Sequence, residues 1–361
     1  RQHGRADGLR RIIRDIRMST ALHYFKWAFL VTLAGLAGSF WLGWSYGGTL
    51  GSALSFLLIG TVLAVLEISL SFDNAIVNAN KLKTMTPVWQ QRFLTWGILI
   101  AVFGMRIIFP LAVVTVAAQV GPLQALRLAA TEPQEYARLM NESHLSIAAF
   151  GGAFLMMVAL SFFVDEGKEV DWIARIERRM RSMGTIKGVT YGLVLLIVLA
   201  FGSQLSVPDQ ATFYTAAILG LVVFMGVDTL SHILDEEPEV QSAARAGGLG
   251  AFLYLEVLDA SFSFDGVIGA FALTQNLFLI AIGLGIGAMY VRSMTIMLVD
   301  RRTLSEFRFL EHGAFYSILA LAVIMFAQSV VHVPEVVTGL LGATIIVLSL
   351  VSSIRFNRRA A

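Results

Sequence analysis

The stretch Leu54–Asn78, LSFLLIGTVLAVLEISLSFDNAIVN, decides the fold class of this chain, because it is long and apolar and yet carries two acids. A helix that spans a bilayer needs about 20 predominantly apolar residues, which this stretch supplies. Glu67 and Asp73 lie within it, although an Asp at a helix centre costs roughly 2.5–3.5 kcal/mol in a membrane. The stretch therefore predicts a membrane-spanning helix that carries a functional polar site.

The rest of the chain has the same apolar character. Hydrophobic residues make up 57% of the 361 residues, charged residues make up 14%, and the mean hydropathy is +0.73. A soluble domain usually carries about 25% charged residues, so the composition excludes a soluble globular protein. The apolar segments are also too long for barrel strands and lack alternation. We predict an all-α, polytopic transmembrane helical bundle of about ten spans, in the segments Lys26–Trp44, Leu54–Asn78, Phe93–Val120, Leu145–Val164, Val189–Leu205, Phe213–His232, Gly250–Leu273, Leu277–Val299, Gly313–Val331 and Val336–Ile354.

Lys and Arg in the connecting segments predict the orientation of the bundle. They concentrate in the N-terminal segment, in the loops after the second, fourth and eighth spans, and in the C-terminal tail. Basic loops stay on the cytoplasmic side, so we expect both termini in the cytoplasm and the chain in a bacterial inner membrane, among lipids. We divide the chain into a basic cytoplasmic segment, residues 1–25, and two membrane halves, residues 26–206 and 207–361.

Several classes of function are excluded or disfavoured by what the sequence lacks. The chain has no cysteine, which excludes disulfides, thiolate metal sites and cysteine nucleophiles. It has no Gly-Lys-Ser/Thr phosphate-binding loop and no nucleophile elbow. We therefore expect neither an enzyme nor an ATP-driven pump, and no nucleic-acid partner. Protein partners, if the chain has them, are expected at the cytoplasmic loops, where residues 235–239 form the acidic run DEEPE.

An internal repeat relates the second predicted span to the seventh. Residues 67–74 read EISLSFDN and residues 259–266 read DASFSFDG, so an acid, two serines, a Phe and an Asp recur at the same spacing. In the predicted topology the two segments cross the membrane in opposite directions. Transporters with such inverted repeats bind their substrates near the bilayer midplane, where the repeats meet.

Acids from both repeat segments form the candidate metal site. Carboxylate, amide and hydroxyl oxygens are hard ligands that suit Mg²⁺, Ca²⁺ or Mn²⁺, and no His or Cys accompanies them. A proton relay and structural salt bridges with intramembrane arginines are the alternatives. The candidate ligands are Glu67, Asp73, Asn74, Glu256, Asp259 and Asp265; the supporting polar or charge-balancing residues are Ser71, Asn78, Ser263, Arg106 and Arg292.

Helical geometry limits how these ligands can meet. On an ideal helix Glu67, Ser71 and Asn74 share a face, whereas Asp73 lies about 120° away from Glu67. We therefore expect one of two arrangements. Either the helices unwind near residues 73–74 and 265–266, where Gly266 makes a break inexpensive, or the acids contact different neighbouring spans.

At these residues the chain resembles the TerC family of bacterial integral membrane proteins, named for tellurium resistance, within the LysE-like transporter superfamily. The family's first signature is a Glu, then a few residues, then Leu-Ser-x-Asp-Asn, and its second is Glu-x-x-Asp-x-x-Phe-x-x-Asp. The span after each motif carries an Arg, as Arg106 and Arg292 do here. Many family members have Ser at the position of Gly266, so this chain looks like a divergent branch. The matching motif residues are Glu67, Leu70, Ser71, Asp73, Asn74, Glu256, Asp259, Phe262 and Asp265.

The resemblance implies a secondary transporter that exports divalent metal cations, with Mn²⁺ as the expected substrate and Ca²⁺ or Mg²⁺ as the alternatives. The ion would bind between the acidic residues of the two repeats. The other function that the resemblance implies is a membrane scaffold that holds metal, in tellurite or metal-stress resistance or in metal supply to exported proteins, without net transport by itself.

Overall fold

The computed structural model describes residues 2–83, 85–97, 100, 104, 107–108, 111–112, 114–115, 120–165, 167–186, 188–236, 248–301, 306–331 and 333–360. Side chains are described at these positions except 2–21, 70, 231–236, 261, 263–265, 268–269, 271–272, 335–336 and 360. The regular structure within these ranges is helical. The helices are α1 (Gln2–Gly47), α2 (Leu50–Leu70), α3 (Phe72–Leu82), α4 (Pro87–Arg92), α5 (Pro122–Thr131), α6 (Pro133–Glu142), α7 (His144–Val164), α8 (Ala174–Gly184), α9 (Val189–Gly202), α10 (Val207–Glu236), α11 (Leu249–Leu273), α12 (Leu277–Asp300), α13 (Leu310–Gln328) and α14 (Glu335–Ala360), and a π-helical segment, Phe93–Gly97, follows α4.

Long apolar helices confirm the predicted fold class, a polytopic helical membrane bundle. Seven described helices are long and apolar enough to cross a membrane, and α9 together with the preceding α8 would make an eighth crossing. The predicted segment Phe93–Val120 lies largely outside the described residues, whereas the other predicted segments fall on described helices. The seven are Leu22–Gly47, Leu50–Ser69, His144–Val164, Val207–Leu230, Leu277–Asp300, Leu310–Gln328 and Val337–Arg359.

The first repeat segment is broken and the second is not. Helix α2 ends at Leu70 and α3 begins at Phe72, with Ser71 between them at φ −98° and ψ 15°. In contrast, α11 continues without interruption through residues 265–266. The expected break near Gly266 is therefore absent, because a glycine permits a helix to unwind but does not require it.

Helices α2 and α3 run parallel to α12. Gly283 contacts Leu63, Gly287 contacts Glu67, and the hydroxyl of Thr295 lies 3.4 Å from the carbonyl oxygen of Ala75. Residue numbers therefore increase in the same direction along α12 and along α2 and α3. The glycines of α12 permit this close approach, as small residues commonly do in membrane helix packing.

Helix α11 runs antiparallel to α2 and α3. Its residue Asp259 contacts Asn78, and its residue Gly266 contacts Glu67. Residue numbers therefore increase along α11 in the direction in which they decrease along the first repeat segment. The two repeated segments cross in opposite directions, as an inverted repeat requires.

Helix α13 also runs antiparallel to α3 and closes the other side of it. Asn80 donates to Oε1 of Glu311 over 2.6 Å, and Ser317 donates to Asp73 over 2.9 Å. Helix α3 is thereby enclosed by α11, α12 and α13, and all its residues from Asp73 to Ala79 are buried.

Candidate functional site

Glu67 lies where three helices meet. Its side chain is 6% exposed, and its Oε1 accepts a hydrogen bond from Ser71 at 3.2 Å. A Cβ atom at Gly266 of α11 would lie 2.9 Å from its Oε2, and one at Gly287 of α12 would collide with its side-chain carbons. The two glycines thus make room for the carboxylate at the meeting point of both repeats.

Asp73 faces a different neighbour. It lies in the first turn of α3, just after the break, where the positive end of the helix dipole stabilises a carboxylate. Its Oδ1 accepts from the backbone amide of Asn74 at 2.8 Å, and its Oδ2 accepts from Ser317 of α13 at 2.9 Å. The first repeat segment combines the two expected arrangements, since its helix is broken at Ser71 and Glu67 and Asp73 contact different neighbouring spans.

Two asparagines of α3 carry acceptor oxygens that no described group donates to. The Nδ2 of Asn78 donates to Oδ1 of Asp259 at 3.1 Å, but its own Oδ1 is buried without a donor. The Oδ1 of Asn74 is likewise buried without a described donor. Buried polar atoms in native proteins nearly always have a partner, so each of these oxygens is available to accept from a donor or to bind a cation.

Both carboxyl oxygens of Glu256 are also buried without a donor among the described residues. The residue is 8% exposed. A Cβ atom at Gly97, in the π-helical segment, would lie 2.6 Å from Oε1. The same segment holds Arg292 of α12, whose Nε donates to the carbonyl oxygen of Leu94 at 2.9 Å.

Two adjoining cavities share one wall. Each has a volume of about 40 Å³. We call them the first and the second cavity. The residues common to both are Glu67, Ser71, Asn74 and Phe262.

The two cavities extend toward opposite ends of the bundle. The first is lined by Asn78 and Thr295, near the C-terminal ends of α3 and α12. The second is lined by Ser317, Leu321 and Ile324. Because α13 runs antiparallel to α3, Leu321 and Ile324 lie beyond Asp73 on the side away from Asn78.

The predicted site residues are divided between these cavities. Asp259, Asn78 and Arg292 line the first and Asp73 lines the second, while Glu256 borders Gly97 of the first. Within the described residues, no three His, Asp or Glu side chains are grouped closely enough to hold a metal ion. Arg106 and the side chains of Ser263 and Asp265 lie outside the described residues.

Sequence reasoning missed several residues that shape the site. Ser317 gives Asp73 its side-chain donor, and Gly97 and Gly287 make room for two glutamates. The serine lies in a mainly apolar helix, where hydroxyls often bond to their own backbone. The spacing of Gly283 and Gly287 is typical of close helix packing, but it does not identify Glu67 as the neighbour.

A sequence model of the family described as protein of unknown function (DUF475) matches residues 72–360. The chain belongs to the DUF475 family. No curated protein and no solved structure matches the chain. The DUF475 match begins at Phe72, the first residue of α3, and so includes Asp73, Asn78, Asp259 and Arg292, whereas Glu67 precedes it.

Proposed function

We propose that this chain is a secondary transporter that exports divalent metal cations, with Mn²⁺ as the expected substrate. The observation that supports this proposal most directly is the position of Glu67. Its carboxylate, with Ser71 and Asn74, borders both the first and the second cavity. An ion bound there would have a path toward either end of the bundle, which is what alternating access around a fixed site requires.

The chemistry of the donor-free oxygens supports a cation as the substrate. Asn74 and Asn78 each leave an amide oxygen without a donor, and Glu256 leaves two carboxyl oxygens. Burying such groups unpaired costs free energy that a cation would offset. Oxygen ligands of this kind suit Mn²⁺, Mg²⁺ and Ca²⁺, and among these the resemblance to TerC proteins favours Mn²⁺.

The proposal assigns successive positions to the ion. In the first cavity it would bind Asp259 and the asparagines, at the shared wall it would bind Glu67, and in the second it would bind Asp73. The break at Ser71 lies between Glu67 and Asp73, and irregular backbone at membrane depth is tolerated where it lines a cavity. This distribution accounts for the carboxylates being spread along a path.

Arginine is assigned the charge-balancing role. Arg292 lines the first cavity, and its Nε is held by the Leu94 carbonyl. When the ion leaves, its guanidinium would offset the negative charge that Asp259 retains. We propose the same role for Arg106 and a ligand role for Asp265, on the resemblance alone, together with a bacterial inner-membrane location and cytoplasmic termini.

Flux through reconstituted protein tests the proposal. The full chain is placed in liposomes that contain a fluorophore quenched by Mn²⁺, and uptake is compared for wild type and Glu67→Gln. We expect the variant to be slower by at least about tenfold, the change that a loss of 1.4 kcal/mol in ion binding produces. Repetition with Mg²⁺ and Ca²⁺ gives the selectivity.

Glu135→Gln on α6 is the matched control. It makes the same chemical change at an exposed carboxylate that pairs with Arg138, and it should leave uptake unchanged. If the wild-type protein binds Mn²⁺ but its liposomes take up Mn²⁺ no faster than empty ones, the transport proposal is wrong and the metal-holding scaffold is supported. Equal uptake by wild type and Glu67→Gln would show that Glu67 does not bind the ion during transport.

A further inference from the structure

Helix α8 lies across the ends of two apolar helices. A Cβ atom at its last residue, Gly184, would collide with the carbonyl oxygen of Val164, the last residue of α7. Gly188, at a left-handed φ of 79°, then turns the chain into α9, and the helix axis changes direction by 109° between α8 and α9. Helix α7 is itself long and apolar enough to cross a membrane, so the contact with its last residue places α8 at the level where α7 ends, and the bend sets α8 crosswise to α9.

One side of α8 is fixed to the bundle. Glu177 is completely buried, and its Oε2 forms a salt bridge with Nζ of Lys168 at 2.6 Å. Its Oε1 accepts from the backbone amides of Trp172 and Ile173 at 3.1 and 2.9 Å. Arg181 turns inward to pair with Asp171. The orientation of α8 about its own axis is thereby set.

The outward side of α8 carries arginines. Arg175, Arg178, Arg179 and Ser182 recur at the helical spacing that places them on one face, and together with Ala174 they line a surface groove of about 530 Å³. The Nε of Arg178 lies 3.5 Å from Oδ2 of Asp171, so this arginine also pairs with that acid. Two neighbouring acids, Asp171 of the preceding loop and Glu177 of α8, are paired with basic side chains.

Exposed apolar side chains lie next to this arginine face. Ile176 is 49% exposed and Met183 is 38% exposed, and they recur seven residues apart on one side of α8. Ile173 before the helix and Ile186 after it are also exposed. A surface helix with a basic face beside an apolar face is the pattern of helices that lie in the headgroup region of a membrane.

We infer that α8 is a binding surface for anionic phospholipids of the membrane that contains the protein. The guanidinium groups of Arg175 and Arg179 bind the headgroup phosphate, because a planar fork of donors matches two phosphate oxygens. Ile176 and Met183 contact the beginning of the acyl chains. This site lies outside both cavities and does not depend on the proposed transport.

The exposed apolar residues favour a lipid over a soluble anion. A free phosphate or a nucleic acid would need the arginines alone and would leave Ile176 and Met183 in water. The crosswise placement of α8 at the ends of α7 and α9 brings both faces to the membrane surface instead. Charge complementarity and amphipathic contact therefore converge on the same ligand.

Lipid titration of the purified full chain tests the inference. Phosphatidylglycerol is added to the protein in neutral detergent, and bound lipid is counted by native mass spectrometry, with phosphatidylcholine as the uncharged reference. We expect Arg175→Gln with Arg179→Gln to weaken phosphatidylglycerol binding by at least about fivefold. Binding of phosphatidylcholine should not change. The matched control is Arg127→Gln with Arg138→Gln, which removes two charges from α5 and α6.

A second variant separates lipid from soluble anion. Ile176→Ser keeps every arginine and should also weaken phosphatidylglycerol binding, while binding of inorganic phosphate stays unchanged. Phosphatidylglycerol binding that survives the arginine substitutions would overturn the inference. So would an arginine effect reproduced in full with inorganic phosphate while Ile176→Ser has none, because the groove would then bind a soluble anion.

Discussion

The side-chain amide of Asn78 donates to the carboxylate of Asp259 over 3.1 Å, and this bond joins the two antiparallel repeat segments. The amide oxygen of the same residue is buried without a donor. Asn78 therefore combines a structural contact with an unused ligand atom. A substitution that exchanges only the amide nitrogen for oxygen separates these two roles.

Asn78→Asp should destabilise the protein in the absence of metal and make it more responsive to metal. The change removes a hydrogen bond to a charged group, worth about 1.5–3 kcal/mol, and brings a second carboxylate against Asp259. A divalent cation bound between the two carboxylates would offset their repulsion. We expect the melting temperature in detergent to fall without Mn²⁺ and to recover when Mn²⁺ is added.

Asn141→Asp, at an exposed position near the end of α6, is the control for this prediction. It adds the same charge away from the cavities and should change neither the melting temperature nor its dependence on Mn²⁺. A melting temperature for Asn78→Asp equal to that of wild type in metal-free buffer would show that the contact with Asp259 does not form.

Ser317→Ala should destabilise the protein through Asp73. The hydroxyl is the side-chain donor to Oδ2 of that buried carboxylate, and its loss removes a bond worth about 1.5–3 kcal/mol. Ser329→Ala, at the residue that follows the end of the same helix, is the matched control, because Ser329 donates to the backbone of Phe326. Urea or thermal unfolding in detergent measures the difference, and equal losses for the two variants would refute a specific role for Ser317.

The chain's composition was sufficient to predict the fold class, and its two motifs were sufficient to predict the antiparallel repeat. Acids such as Glu67 and Asp73 stand out in an apolar segment because placing each of them at membrane depth costs free energy. The break at Ser71 lies within two residues of one of the two expected interruptions, but the same argument allowed an interruption near residues 265–266 that α11 does not have.

The division of the acids between two cavities could not be predicted in the same way. It depends on which neighbour each acid meets, and the neighbours are hydroxyls and glycines that are common in any membrane helix. Ser317 on α13 draws Asp73 into the second cavity, and Gly97 makes room for Glu256 beside the first. Only the packing of distant helices identifies these partners.

Gly287→Ala should displace Glu67. A methyl group at this position would overlap the side-chain carbons of Glu67, and overpacking of this kind typically costs 1–3 kcal/mol. Gly192→Ala is the matched control, because a methyl group there meets no other atom and removes a flexible residue from a helix, which stabilises by roughly 0.5–1 kcal/mol. Melting temperatures should therefore move in opposite directions, and a Gly287→Ala variant as stable as Gly192→Ala would mean that α12 does not approach Glu67 so closely.

Glu177→Gln should destabilise the protein more than any exposed charge removal. The substitution leaves Lys168, itself only 7% exposed in its side chain, without the carboxylate that it contacts at 2.6 Å. Removal of one partner from a buried ion pair costs about 3–5 kcal/mol, because the other charge stays buried. His312 of α13 also lies 3.3 Å from Oε2 of Glu177, so the loss extends to the contact between α8 and α13.

Hydrogen exchange locates this effect. In Glu177→Gln the amides of Trp172 and Ile173, which donate to the carboxylate, should exchange faster than in wild type. Glu135→Gln again serves as the control, since the hydrogen bond from Arg138 lowers the pKa of Glu135 and keeps it ionised in an exposed pair. Unaltered exchange at Trp172 and Ile173, together with an unaltered melting temperature, would show that Glu177 does not hold α8 against the bundle.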